Sequence, residues 1–585
     1  MSCTPCTPPQ DEFPIFCDPN PATDVGQRLL VEDEAFCTKA LVSPQTGSTL
    51  VWEDGIKWKE TVPPEVPFDE TTPFLAEGTT EPRNLTTRMA DVVNVRDFGA
   101  LGDGTTNDIA AFVDAADTGK QVLVPDGTYT ITVSNQTQAD AIMAMMSRLH
   151  LFCNTLTVNF VAGTYTFAQR TEFLVTNGNK LIINGATPTA LTYSSLGTIT
   201  SMGAGDHSVT INVTDASSVN TNDFITFKPT DATTDSVGVF GGIWQVINKV
   251  GNSITFKNTA QVASIVSATI TGGVTINKIN TILYYNTNIG LYIRNQLGAI
   301  SSNSSGFKNL AIVSDRSGSS SGAGVYLEYG ASVNLSGEFG IYNFSGSGIY
   351  GLYQGLLNAT GVCVSNCGSS GVYALNGSTF QTVRMQSTGN GNYGFVSSVN
   401  SNISGSQSNG SGNTSGYGSL ANSAIICNYA IAKYNTNYGF TCRSNSFLDA
   451  NRGKADNNEY GIHAFQGSYV RGTGATISSN TTYNYQEEDG TCYIDGAVLP
   501  TKSRAEKVHN FATISAQTVA TTTISVPGVS IGDVVALGWN GADVAGLVLT
   551  ARASSTDTIT IYAANITGGS ITVGNRTYWV RVFIK

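Results

Sequence analysis

A recurring glycine constrains this chain more than any other feature of its sequence. Gly324, Gly348, Gly371, Gly394, Gly418, Gly439 and Gly461 follow one another at intervals of 24, 23, 23, 24, 21 and 22 residues. A period in the low twenties marks a solenoid, in which each repeat is one coil that cannot bury its apolar face alone. One residue after each glycine come Val325, Ile349, Val372, Phe395, Ser419, Phe440 and Ile462, mostly large and apolar, an inward column. Three after come Leu327, Gly351, Ala374, Ser397, Ala421, Cys442 and Ala464, mostly small and also inward by the two-residue period of a strand. Tyr326, Tyr350, Tyr373, Val396, Leu420, Thr441 and His463, two after the glycine, then face outward. The alternation predicts an all-β fold built on a parallel β-helix over residues 282–495.

Composition agrees. Of 585 residues, 13% are charged, about half the usual share, and 62 are Gly, as many short strands and tight turns require. No 18-residue apolar run exists, so no membrane span is expected. Met1–Gln10 has neither a basic nor an apolar run, so no secretory signal is expected. Residues 1–90 carry 15 acids against 6 bases and are rich in proline, which reads as an extended arm or small docking domain. No basic patch of the kind that neutralises phosphates occurs, so nucleic acid is not an expected partner. Cys3, Cys6, Cys17 and Cys37 lack a second close pair, and no His precedes His150. They read as free thiols, or as disulfides outside a cell, rather than as a zinc site. Neither a metal nor a cofactor is expected.

Upstream of the repeat, Val93 and Val95 suggest a strand, and the glycines of Asp97-Phe98-Gly99-Ala100-Leu101-Gly102-Asp103-Gly104 impose a tight loop. Ile109, Phe112, Val113 and Ala116 then share one face of a short helix, capped by Thr106 or Asn107 and stopped at Gly119. Val122-Leu123-Val124-Pro125-Asp126-Gly127-Thr128-Tyr129 is strand, turn and strand. No Lys follows the glycines, so the loop is not a phosphate cradle. The run from Val93 to Tyr129 closely resembles the start of the pectate-lyase-like right-handed β-helix of bacteriophage tailspikes and tail fibres. Arg83 to Asp91 also resembles the linker that joins a virion-binding head to such a helix.

The expected organisation is therefore an attachment arm at 1–90, β-helix start with capping helix at 91–196, an inserted small β-domain at 197–281, coils at 282–495, a linker at 496–510 and a β-sandwich at 511–585. Trp244, in the inserted domain, reads either as a core residue or as a platform for a sugar. The resemblance implies a homotrimer held to the phage tail, baseplate or an adaptor through residues 1–90. It implies a virion-tail location after synthesis in the host cytoplasm, and a bacterial surface polysaccharide as receptor. Tyr326, Tyr350 and Tyr373 are then either a glycan-binding strip or the interface between subunits.

Cleavage of that glycan, as by a depolymerase tailspike, is the alternative. A glycosidase needs two carboxylates about 5–9.5 Å apart, and no two acids share a column on successive coils. Asp449 meets Arg471 one coil on, an expected ion pair. Asp456 and Glu459 lie together near a turn, and with Asp449 they are the candidate catalytic acids. A secreted pectinase-like enzyme fits less well, given the acidic arm.

Overall fold

In a computed structural model, four strands are described within residues 29–61. Residues 91–583 are described except 176–179, 204–205, 231–237, 261–269, 271–272, 295, 298–305, 317–321, 488–492, 496–503, 527–528 and 541–543. Most of the arm, its four cysteines and most of the 496–510 linker fall outside the described residues. Within the arm, Leu29–Glu32 pairs antiparallel with Lys39–Val42, and Thr49–Glu53 with Lys57–Thr61. These strands belong to a unit separate from Val92–Lys585.

The larger unit is a parallel β-solenoid with three sheet faces. One face, here the tyrosine face, stacks ten strands from Thr171–Phe173 to Tyr483–Glu487. The long face runs from Asp103–Asn107 to Tyr493–Asp495. The seam face runs from Gly163–Phe167 to Gln386–Thr388, and single bridges through Asn409 carry it on to Ile431–Lys433 and Thr476–Ser478. Past the two N-terminal helices the chain visits the tyrosine, long and seam faces in that order, so neighbours on a face are one coil apart in sequence.

The repeated glycines exist for space. A Cβ at Gly416 would lie 2.9 Å from the Ala432 Cβ, one at Gly439 would lie 2.7 Å from the Ala455 Cβ, and one at Gly348 would overlap Val364. Each glycine thus lets a tyrosine-face strand leave the corner over the inward side chain of a seam-face strand. The expected frame needs one correction. Phe395 pairs with Tyr417 and Tyr417 with Phe440, so the fifth marker is Gly416, two residues before Gly418. Tyr417 is buried, its ring stacked 4.9 Å from Phe395 and 5.2 Å from Phe440. Gly418, not Leu420, stands in the outward column, where Val396 pairs with Gly418 and Gly418 with Thr441.

Two further ladders bind the coils. Asn390, Asn413, Asn435, Asn458 and Asn480 each lie one coil apart. The backbone N–H of each of the first four donates to the next side-chain oxygen at 2.9–3.0 Å. Ser378, Ser401 and Ser423 likewise donate N–H to the next serine hydroxyl at 3.1–3.2 Å.

The N-terminal end carries two helices. Helix α1, Ile109–Asp117, buries Phe112 edge-on to Tyr129 with ring centroids 5.8 Å apart. Asn107 Oδ1 accepts from the Ile109 N–H, and Gly119, at φ +71°, follows the helix. In the preceding loop Gly102 is at φ +67°, and a Cβ there would run into the Tyr129 ring. Helix α2, Gln136–Met145, is not anticipated above. Asn135 caps it by accepting from the Gln138 N–H at 3.0 Å, while Gln138 accepts from the Ser134 N–H at 2.8 Å. Each helix follows a long-face strand, in the place that a seam-face strand takes in later coils.

The inserted domain leaves the solenoid after Asn184 on the long face and returns at Thr281 on the seam face. It is a seven-stranded antiparallel sheet whose outer strands, Thr189–Leu191 and Tyr193–Gly203, follow one another in sequence, so the sheet curls back on itself. Its core is continuous with Ile282, Ala311, Val313, Tyr342 and Cys363 of the seam face. A C-terminal sandwich has one sheet of Arg504–Asn510, Val534–Trp539 and Asn575–Phe583, and a second of Val519–Ser525, Leu547–Ser555 and Thr558–Asn565. Ile559, Ile561, Tyr578, Val580 and Val582 are buried in its core.

Candidate functional site

The outward column of the tyrosine face begins one coil earlier than the sequence reading placed it. Tyr292 pairs with Tyr326, Tyr326 with Tyr350, and Tyr350 with Tyr373. Successive ring centroids are 5.3, 5.1 and 5.3 Å apart. Tyr326, Tyr350 and Tyr373 are half-buried, so part of each side chain reaches the surface. Burial, with the neighbouring phenols, pushes Tyr326 and Tyr350 up to about 12, so both stay neutral over the whole physiological range. The column then breaks at Val396 and Gly418, where the Tyr393 ring packs over the glycine. Aromatic side chains resume with Tyr438, Tyr460 and Tyr483, with His463 stacked 4.8 Å from Tyr438.

At the corner after this face seven successive coils turn through two successive left-handed residues. They are Tyr329-Gly330, Tyr353-Gln354, Asn376-Gly377, Val399-Asn400, Ala421-Asn422, Ser444-Asn445 and Gln466-Gly467. The second position is Gly or Asn in all but one, as that conformation favours. Tyr329 and Tyr353, at φ +54° and +53°, lie 65% and 45% exposed, with rings 5.4 Å apart and 10° from parallel. A left-handed backbone costs an ordinary residue about 1–2 kcal/mol, whereas a stacked aromatic pair returns about 0.5–1.5 kcal/mol. Stability does not explain tyrosine at both positions.

The head of the column is charged. The Tyr292 hydroxyl donates to Glu328 and accepts from Arg294 Nε and Nη2 at 3.0 and 2.7 Å. Glu328 is buried, with Arg294 Nε 3.6 Å from its carboxylate. The Arg170 guanidinium lies 4.3 Å from the Tyr292 ring centroid and pairs with Glu172. Arg170 and Glu172 also line a cleft of about 560 Å³ between α2 and the strand at 163–167, with Asp140, Ser147 and Gln169. Glu172 and Glu328 are not among the expected catalytic acids; Glu328 faces Leu352, not a second acid, on the next coil. The two glutamates belong to coils separated by the inserted domain, so no single repeat column contains both.

The expected acids lie apart. Asp449, on the long face, pairs across coils with Arg471 Nη1 at 3.6 Å. Asp456, on the seam face, stands 3.7 Å from Lys433 Nζ and accepts from Ser478 Oγ at 3.3 Å. Glu459 is in the turn that leads to the tyrosine face. Asp449 and Asp456 therefore share no face. Trp244 is fully buried at the seam, its indole N–H donating to the Phe240 carbonyl at 2.8 Å, which is the core role weighed above and leaves no surface for a sugar. Among the described residues no cluster of His, Cys, Asp and Glu could hold a metal ion. No helix among them is long and apolar enough to cross a membrane.

No family model matches this chain, and no curated protein matches it. Among solved structures it is similar to the tailspike gp61 of Pseudomonas phage phi297, at 14% identity over 84% of this chain and 99% of that one, TM-score 0.26. It is similar to the gp54 tailspike of Acinetobacter baumannii bacteriophage AP22, solved with a capsular saccharide, at 10% identity over 88% and 100%, TM-score 0.26. It is also similar to the A-module of the Azotobacter vinelandii mannuronan C-5 epimerase AlgE4, at 14% identity over 69% and 94%, TM-score 0.26. The chain is a parallel β-solenoid, and the structures it resembles include bacteriophage tailspikes.

Proposed function

We propose that this chain is a receptor-binding protein of a bacteriophage tail, and that its tyrosine face binds a bacterial surface polysaccharide. The observation that carries the reading is the column of Tyr292, Tyr326, Tyr350 and Tyr373, one ring per coil at 5.1–5.3 Å, the last three half-buried and so reaching the surface. An aromatic ring offers an apolar face to the C–H face of a sugar, and its hydroxyl bonds to sugar oxygens. A column of such rings suits an extended polymer of repeating units. In this reading residues 1–90 attach the protein to the virion tail and the chain acts as a homotrimer.

Retention of the protein on immobilised surface polysaccharide, extracted from a panel of bacterial strains, tests this. Binding to at least one extract is expected, and its loss in the Tyr326→Ala/Tyr350→Ala variant. Undiminished binding by that variant contradicts the reading. If the variant instead falls from trimer to monomer in light scattering while still binding, the column is a subunit interface. A second reading, cleavage of the bound glycan, is favoured by Glu172 and Glu328 beside Arg294 at the head of the column. Shortening of the retained polysaccharide, abolished by Glu328→Gln, would establish it.

A further inference from the structure

Resting on that reading, we propose that Tyr329 and Tyr353 form a sugar-stacking platform at the corner of the tyrosine face, which holds a glycan lying along the stack of coils. Three observations meet at this pair. The backbone is left-handed at both residues, at φ +54° and +53°, a conformation that bulky side chains avoid. Equivalent corners in later coils carry Asn376, Val399, Ala421, Ser444 and Gln466, so the turn itself does not demand an aromatic side chain. The two rings are also 65% and 45% exposed, so they return little burial for the strain.

Strain held at an exposed position without packing to support it points to function. The rings lie 5.4 Å apart and within 10° of parallel, at equivalent corners of successive coils. Tyr329 and Tyr353 stand three residues beyond Tyr326 and Tyr350, themselves cross-coil partners. The Gly330 N–H donates to the Tyr353 carbonyl at 2.9 Å, which locks the two corners in register. The platform and the tyrosine column therefore run side by side in the same direction. A sugar chain parallel to the coil stack meets both, whereas one lying along a strand crosses a single ring of each.

Asn accepts the left-handed conformation that Tyr resists, which makes Tyr329→Asn/Tyr353→Asn the deciding variant. Its thermal midpoint is expected to rise. Its affinity for the polysaccharide extract most strongly retained by the wild-type chain is expected to fall about tenfold or more, the loss of two stacked contacts. Tyr329→Phe/Tyr353→Phe keeps both rings and is expected to stay within about threefold of wild type. Unchanged affinity in the Asn variant overturns the platform and leaves the wider reading standing. A fall in stability and affinity together also overturns it, because the tyrosines would then be structural. If the wild-type chain is retained by no extract, the wider reading fails, and the platform with it.

Discussion

Tyr417 and Phe395 lie face to face inside the solenoid, ring centroids 4.9 Å apart and planes 8° from parallel, although 22 residues separate them in the chain. Phe440 continues the stack on the other side of Tyr417. Tyr417 also shares a hydrogen bond of 2.9 Å with the Ser408 hydroxyl. Tyr417→Ala opens a cavity between two rings and is expected to cost about 3–5 kcal/mol. Tyr417→Phe forfeits only the hydroxyl bond, about 1 kcal/mol. Denaturant unfolding of the two variants checks the order, and equal losses would contradict the stack.

The glycine column makes a different prediction. Gly348→Ala forces a methyl into Val364 and within 2.8 Å of the Gly371 carbonyl, which is expected to cost about 1–3 kcal/mol. Val364→Ala should recover part of that loss in a double-mutant cycle. Gly330, at φ +75° with nothing within 4 Å of its missing Cβ, should accept Asn with a change within about 0.5 kcal/mol. A Gly348→Ala variant as stable as wild type would show that the corner has room.

Much of this was legible from spacing alone, and one slip shows the limit. Gly418 reads as the fifth marker because it too is a glycine, and because a shift of two residues keeps the inward and outward alternation intact. A second column settles the frame. Six residues after each marker stand Gly330, Gln354, Gly377, Asn400, Asn422, Asn445 and Gly467, which holds only if the marker is Gly416. Helix α2 was also marked, by the Ser134-Asn135 and Gln138 capping pattern. The meeting of Arg170, Tyr292 and Glu328 was not legible. An inserted domain divides their coils, and the sequence does not show where the solenoid resumes its register.

The asparagine ladder gives a third prediction. Asn435 accepts from the Asn413 N–H and donates from its amide to Asn458 Oδ1, both at 2.9 Å, while buried. Asn435→Ala leaves the buried Asn413 N–H without its acceptor, while Asn458 Oδ1 keeps the Asn435 backbone N–H, and is expected to cost about 1–3 kcal/mol. Thr436→Ala, at the next and exposed residue, should change little. Equal effects by thermal unfolding would remove the ladder from the account.

The tyrosine column sets a pH dependence. Phenols with a folded pKa raised from 10.0 to about 12 contribute stability that is fully present below about pH 10 and lost as pH rises through about 12. Stability should therefore show no tyrosine-linked change from neutral pH to about pH 9. Phenolate absorbance should report Tyr326 and Tyr350 titrating up near pH 12 rather than at the ordinary phenol value. A variant series in which Tyr326 ionises near 10 would contradict its burial.

The most direct measurement is a crystal structure of the chain with an oligosaccharide cut from the polysaccharide it retains. The account predicts sugar rings stacked along Tyr326 and Tyr350, with the chain running from coil to coil. An oligosaccharide seated on the long face, or a tyrosine face covered by another copy of the chain, would contradict it.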